Sequence, residues 1–150
     1  MKLEEKLQHK INSLLSLLAE ETNWDKLPQK IQYPPWDLLD LVSKHGEAEQ
    51  DLNRKPGVNI DGEKWPFWYG EIKGIKGEDI GWPGDTCYLD LFIGSKSRKQ
   101  GVNGLLVCFK KKNKDKIKDI KILSGFTEDD WKKFDPWYKK YWPNAEIVVR

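Results

Sequence analysis

Residues 66–74 read PFWYGEIKG, and the fold turns on how this stretch is read. Phe67, Tyr69, Glu71 and Lys73 alternate with Trp68, Gly70, Ile72 and Gly74. On an extended chain, side chains two apart point the same way. The stretch therefore predicts a strand that sends Trp68 and Ile72 into a core while Glu71 and Lys73 share the opposite face. The same period of two recurs in TCYLDLFI (86–93), VNGLLVCF (102–109), IKDIKIL (117–123) and AEIVV (145–149). From residue 57 onward the chain thus reads as sheet.

Upstream the period changes to that of a helix. Leu3, Leu7, Ile11, Leu14, Leu15 and Leu18 recur at spacings of three and four, which predicts an amphipathic helix from about residue 2 to 21. A shorter helix should begin at Pro34-Pro35, because proline suits a first helical turn. Leu38, Leu39, Leu41 and Val42 would form its apolar side, and Lys44-His45-Gly46 its end. Near the C-terminus, TEDDWKKFDPWYKKYW (127–142) pairs Thr127 with Asp130 in capping-box spacing. Pro136 predicts a break, with Asp135 capping a second short helix in series. Trp131, Phe134, Tyr138 and Tyr141 are its expected inward residues. The result is a single α+β domain over residues 1–150: a helical part at 1–46, then a sheet core at 57–150. That core is a mainly antiparallel sheet of four or five strands closed by a C-terminal helix–strand unit.

A chain of 150 residues buries about two-thirds of its unfolded surface, enough for one real core. Lysine and arginine nearly cancel the acids, leaving a formal net charge of +2, so any basic surface must come from local clustering. The N-terminus lacks the basic-then-apolar order of a signal peptide, and no apolar run approaches the roughly 18 residues of a membrane span. Cys87 and Cys108 belong to no Cys-x-x-Cys pair. These features predict a soluble cytoplasmic protein with reduced thiols. If 86–93 and 102–109 form a hairpin, Cys87 faces Cys108 and Leu89 faces Leu106.

Chemistry is suggested most directly by Glu71-Ile72-Lys73. Hydrolysis of a phosphodiester with a hard cation needs acidic oxygen ligands and a cationic group beside the attacking water. Glu71 and Lys73 supply one of each on one strand face, and Asp61 is a second acid upstream. On Asp61 and Glu71-x-Lys73 the chain resembles the PD-(D/E)XK nuclease superfamily, which includes many type II restriction endonucleases. That resemblance implies a metal-dependent endonuclease of restriction or homing type acting on DNA as a homodimer. Asp61 and Glu71 would be ligands of Mg²⁺, Lys73 would orient the water, and Glu47 or Glu49 would be an accessory acid. Asp61-Gly62 is equally a two-residue hairpin turn signal, in which Asp61 serves the backbone.

Other features bear on partners. The loops GSKSRKQG (94–101) and KKKNKDK (110–116) present Lys96, Arg98, Lys99, Lys110 and Lys112, which would contact phosphates or simply remain solvated. Asp90 is either a further ligand or a surface residue. Trp65, Trp82 and Trp142 each precede proline, which favours extended or turn backbone. Exposed tryptophans held in this way would suit a different protein: a non-catalytic module of inhibitor or immunity type that binds another protein.

Overall fold

The computed structural model describes residues 27–48, 59–60, 63–64, 67–82, 84–95, 101–113 and 116–150; the helix expected at 2–21 lies outside them. Pro28 opens a one-turn helix, α1 (Gln29–Gln32), which buries Ile31. Pro34 and Pro35 then lead into α2 (Trp36–Ala48), whose first turn is closed by the Leu39 N–H donating to the Pro35 carbonyl at 3.0 Å. Leu39 and Val42 enter the core, but Leu38 and Leu41 point outward. An arc of four apolar positions is wider than the face α2 turns to the sheet. The helix also runs through Gly46 to Ala48 instead of stopping there. An interior glycine costs a helix about 1 kcal/mol, which weakens it without ending it.

Two short strands, β1 (Asn59–Ile60) and β2 (Glu63–Lys64), pair antiparallel with Ile60 opposite Glu63. The main sheet contains β3 (Trp68–Lys76), β4 (Tyr88–Ile93), β5 (Val102–Phe109), β6 (Ile117–Ser124) and β7 (Ala145–Val149). Its order is β3-β4-β6-β5-β7. All neighbours are antiparallel except β4 and β6, which are parallel. The period-two segments therefore became strands nearly residue for residue.

The expected hairpin between 86–93 and 102–109 does not form, because β6 lies between β4 and β5. The tight hairpin is the next one, β5 to β6, where the Lys110 N–H donates to the Lys116 carbonyl at 2.9 Å. The loop from Gly94 to Gly101 is long enough to cross over instead of turning back. Cys108 consequently sits beside Asp119 and Ala145, while Cys87 is exposed, and both thiols are free.

Each sheet face carries its own core. One face packs Ile72, Leu89, Leu91, Leu105, Ile120 and Ile122 against Leu39, Val42 and Ile31 of the helices. The other face, with Phe67, Phe92, Leu106 and Leu123, lies under α3 (Glu128–Tyr141). The Thr127 capping box is present, with the Asp130 N–H donating to the Thr127 hydroxyl at 3.2 Å and the Thr127 N–H to the Asp130 carboxylate at 2.8 Å.

Pro136 lies inside α3, which is one continuous helix and not two. Its missing N–H leaves the Lys132 carbonyl without its helical donor, and an interior proline costs about 3 kcal/mol. Lys132 is exposed, so water can reach that carbonyl. On the inward side Phe134, Trp137 and Tyr138 are buried, each at about 1.5–3 kcal/mol of transfer free energy. Burial on both sides of the proline outweighs its cost and keeps the helix continuous through it. Asp135, expected as a cap, instead pairs with Lys139 at 3.0 Å.

Candidate functional site

The β3–β4 register sets Glu71 directly opposite Asp90, and the parallel β4–β6 register sets Asp90 opposite Lys121. Glu71, Asp90 and Lys121 therefore lie in one row across the sheet face that α3 covers. Glu71 is exposed at the edge strand. Asp90 is buried, which overturns its reading as a surface residue. Its carboxylate lies 2.5 Å from the Lys121 Nζ, and the Asp119 carboxylate lies 2.6 Å from the same atom.

Lys121 is enclosed, with only 4 % of its side chain exposed. The Trp142 ring centroid lies 4.7 Å from its Nζ and that of Tyr69 5.7 Å, so the ammonium faces two aromatic rings as well as two carboxylates. Burial acts to lower the Lys121 pKa, but Asp90 and Asp119 outweigh it and hold the group above the ordinary lysine range. Burial also raises the Asp90 carboxyl, against the pull of Lys121. Burial pushes the Cys108 thiol up to about 12 and raises the Tyr69 hydroxyl as well. The cluster thus holds a fixed cation, an unreactive thiol and an un-ionised phenol. Its chemistry is that of a clamp: it neutralises two carboxylates that would otherwise repel each other across β4 and β6.

Asp119-Ile120-Lys121 is itself an acid-x-lysine triplet on a strand, and sequence reading passed over it. Its signal was available: a lysine followed by Ile122, Leu123 and a glycine-terminated turn sits where the chain is least able to reach water. Of the residues expected to form the catalytic group, Glu71 is placed as predicted on a strand face. Lys73 lies in β3, but its side chain is outside the described residues, as is all of Asp61. Ile60 and Glu63, the chain neighbours of Asp61-Gly62, are paired as an Asp-Gly hairpin would pair them. Lys96, Arg98 and Lys99 also lie outside the described residues, whereas Lys110 and Lys112 are exposed at the β5–β6 hairpin. Asp79 accepts the Lys76 N–H at 2.9 Å and serves a turn.

Among the described residues the tryptophans form no exposed surface; Trp65 lies outside them. Trp82, Trp131 and Trp137 are buried, and Trp36, Trp68 and Trp142 are half-buried in the two cores. Among the described residues, the large apolar groups that face solvent are Tyr33 at 78 %, Leu41 at 65 %, Tyr88 at 43 % and Leu38 at 41 % exposure. Three of these four fall between residues 33 and 41. Beside them, Pro34, Pro35, Trp36, Asp37, Leu38 and Arg150 line a shallow groove. Arg150 fastens that corner: its Nη1 donates to both Asp40 oxygens at 2.9 Å and to the Val102 carbonyl at 3.2 Å.

Set against known proteins, the chain matches no family model, no curated protein and no solved structure. Among the described residues, no helix is long and apolar enough to cross a membrane.

Asp85 is a further buried acid. It is fully enclosed between the turn after β3 and β6, accepts the Ile120 N–H at 3.1 Å, and lies where a Cβ on Gly77 would stand, 2.4 Å away. Burial, and then the nearby Asp119 charge, push its carboxyl up to about 7 from 3.8, against the backbone N–H groups of Ile120 and Cys87. An acid raised in the folded state stabilises the fold while protonated. That contribution is complete below 3.8 and is lost as the pH climbs through about 7. Asp85→Asn should therefore gain on the wild type as the pH rises, by at most about 4 kcal/mol. Urea unfolding of both proteins from about pH 4 to pH 8 measures the difference. A difference that stays constant across that range would contradict the assignment.

Proposed function

We propose that this chain is a cytoplasmic protein-binding module whose contact face is the outward side of α2, and that a second copy of the chain fits that face. The observation that carries the reading is the concentration of exposed apolar side chains at Tyr33, Leu38 and Leu41. The contact surface of the expected binding module thus moves from the tryptophans to this corner.

The stripe on α2 suits an antiparallel copy of itself. Asp37, Leu41 and Lys44 follow one another at spacings of four and three, with Leu38 alongside, so they form a line along the helix. Two such helices related by a two-fold axis bring Asp37 of each copy opposite Lys44 of the other, with the leucines between. An interface centred on so few apolar groups falls short of the roughly 800 Å² per partner of a standard interface, which argues for dissociation on the order of micromolar.

Sedimentation velocity across micromolar concentrations tests this. The wild type should pass from monomer to dimer, and Leu41→Asp should remain monomeric. Asp37→Lys and Lys44→Asp should each weaken the dimer, and the two together should restore it. A wild type that stays monomeric throughout, or a double variant no better than the singles, overturns the proposal.

A second reading has one observation in its favour: Glu71 is exposed on the edge strand, in register with Asp90. On this reading the protein is a Mg²⁺-dependent endonuclease for DNA, with Asp61 and Glu71 holding the metal and Lys73 orienting water. Lys110 and Lys112, with Lys96, Arg98 and Lys99, would contact phosphates. Supercoiled plasmid should then be nicked with Mg²⁺ by the wild type and not by Lys73→Ala or Glu71→Gln. Equal behaviour of the three proteins removes this reading.

A further inference from the structure

A cavity of about 320 Å³ opens between α1, the turn at Gly81–Trp82 and the base of the β5–β6 hairpin. Its walls are apolar: Pro28, Ile31, Trp82 and Ile117. Ile31 and Trp82 are also members of the core cluster and almost fully buried, so the hollow is walled by the part of the molecule least free to move. Its volume lies at the small end of ligand pockets, which begin at about 300 Å³.

The mouth has the opposite character. Lys30, Lys110 and Lys116 line it and are exposed. The Lys30 Nζ lies 3.4 Å from the Gly81 carbonyl, which ties it to the turn that carries Trp82. The backbone bond from Lys110 to the Lys116 carbonyl, 2.9 Å, holds the other two side by side on the hairpin. None of the three ammonium groups forms an ion pair among the described residues, and no carboxylate is among the described residues lining the cavity. Like charges drawn from two separate elements to the rim of an apolar hollow reinforce one another's field, since the low-dielectric walls focus it toward the opening.

We propose that this cavity is a binding site for a small amphipathic anion: a flat or compact apolar body seated between Pro28 and Ile117 at the edge of Trp82, with one carboxylate or phosphate held by Lys30, Lys110 and Lys116. The body is limited to about the size of a fused bicyclic ring. The site is separate from the contact face of α2 and does not depend on the function proposed above.

Isothermal titration of the full chain with three probes of equal shape tests the assignment: 2-naphthoate, 2-naphthyl phosphate and the neutral 2-naphthylmethanol. One or both anions should bind with one-to-one stoichiometry, at least tenfold more tightly than the neutral probe. Tighter binding of the dianion would mark phosphate as the natural headgroup, and parity of the two anions would mark carboxylate as sufficient. In Lys110→Glu/Lys116→Glu, two exposed positions where the fold should persist, anion affinity should fall at least tenfold while the neutral probe is unaffected. Ile117→Trp, which fills the hollow from a half-buried position, should abolish binding of all three. Anion binding unchanged by the charge reversal, binding of several copies without saturation, or no binding by the wild type overturns the proposal.

Discussion

One buried ammonium group organises this molecule. Lys121 sits between Asp90 and Asp119 on the covered face of the sheet, and Asp90 and Lys121 are register partners on the one parallel strand pair among the described residues. Parallel strands cannot be joined by a tight turn, so a hairpin cannot enforce their register. Here an ion pair with little solvent contact does so. A one-residue slip of β6 would turn Lys121 into the other, mostly apolar core and leave two buried carboxylates without a cation. The order β3-β4-β6-β5-β7 follows from that constraint together with the β5–β6 hairpin.

The remainder of the architecture builds on this arrangement. Because β6 occupies the place beside β4, β5 is pushed outward to pair with β7, and α3 must cross the face between β6 and β7. Trp142, at the C-terminal end of that helix, then closes over Lys121. Phe134 and Trp137 hold α3 down through Pro136, while α2 covers the other face with only Leu39 of its three leucines. The leucines left over are the exposed stripe at Leu38 and Leu41. That exposed stripe is thus a consequence of how narrowly α2 meets the sheet.

Strand positions were legible in the sequence because alternation is local: 102–109 and 145–149 coincide with β5 and β7, and the Thr127 cap lies where its spacing put it. Strand order was not, because a loop of the length of 94–101 is compatible with turning back or crossing over, and only the distant Asp90–Lys121 pairing decides between them. The break expected at Pro136 weighed a backbone cost without the aromatic burial on either side of it. Asp90 was open to a surface reading because a lone acid belongs there; its burial becomes tolerable only where it meets Lys121. Of the candidate catalytic group, Glu71 was legible from its strand face. An acid-x-lysine triplet on a strand was a sound pattern to seek, and Asp119-Ile120-Lys121 fits it with its charges already spent on each other.

The claim that the Lys121 clamp sets the fold is tested most directly by urea unfolding of Lys121→Met at neutral pH. Removing the cation leaves Asp90 and Asp119 buried and repelling, so the loss should be about 3–5 kcal/mol. Lys121→Met/Asp90→Asn/Asp119→Asn, which removes the stranded charges, should recover most of it. A single variant within about 0.5 kcal/mol of the wild type, the range of an ordinary surface change, would contradict the account.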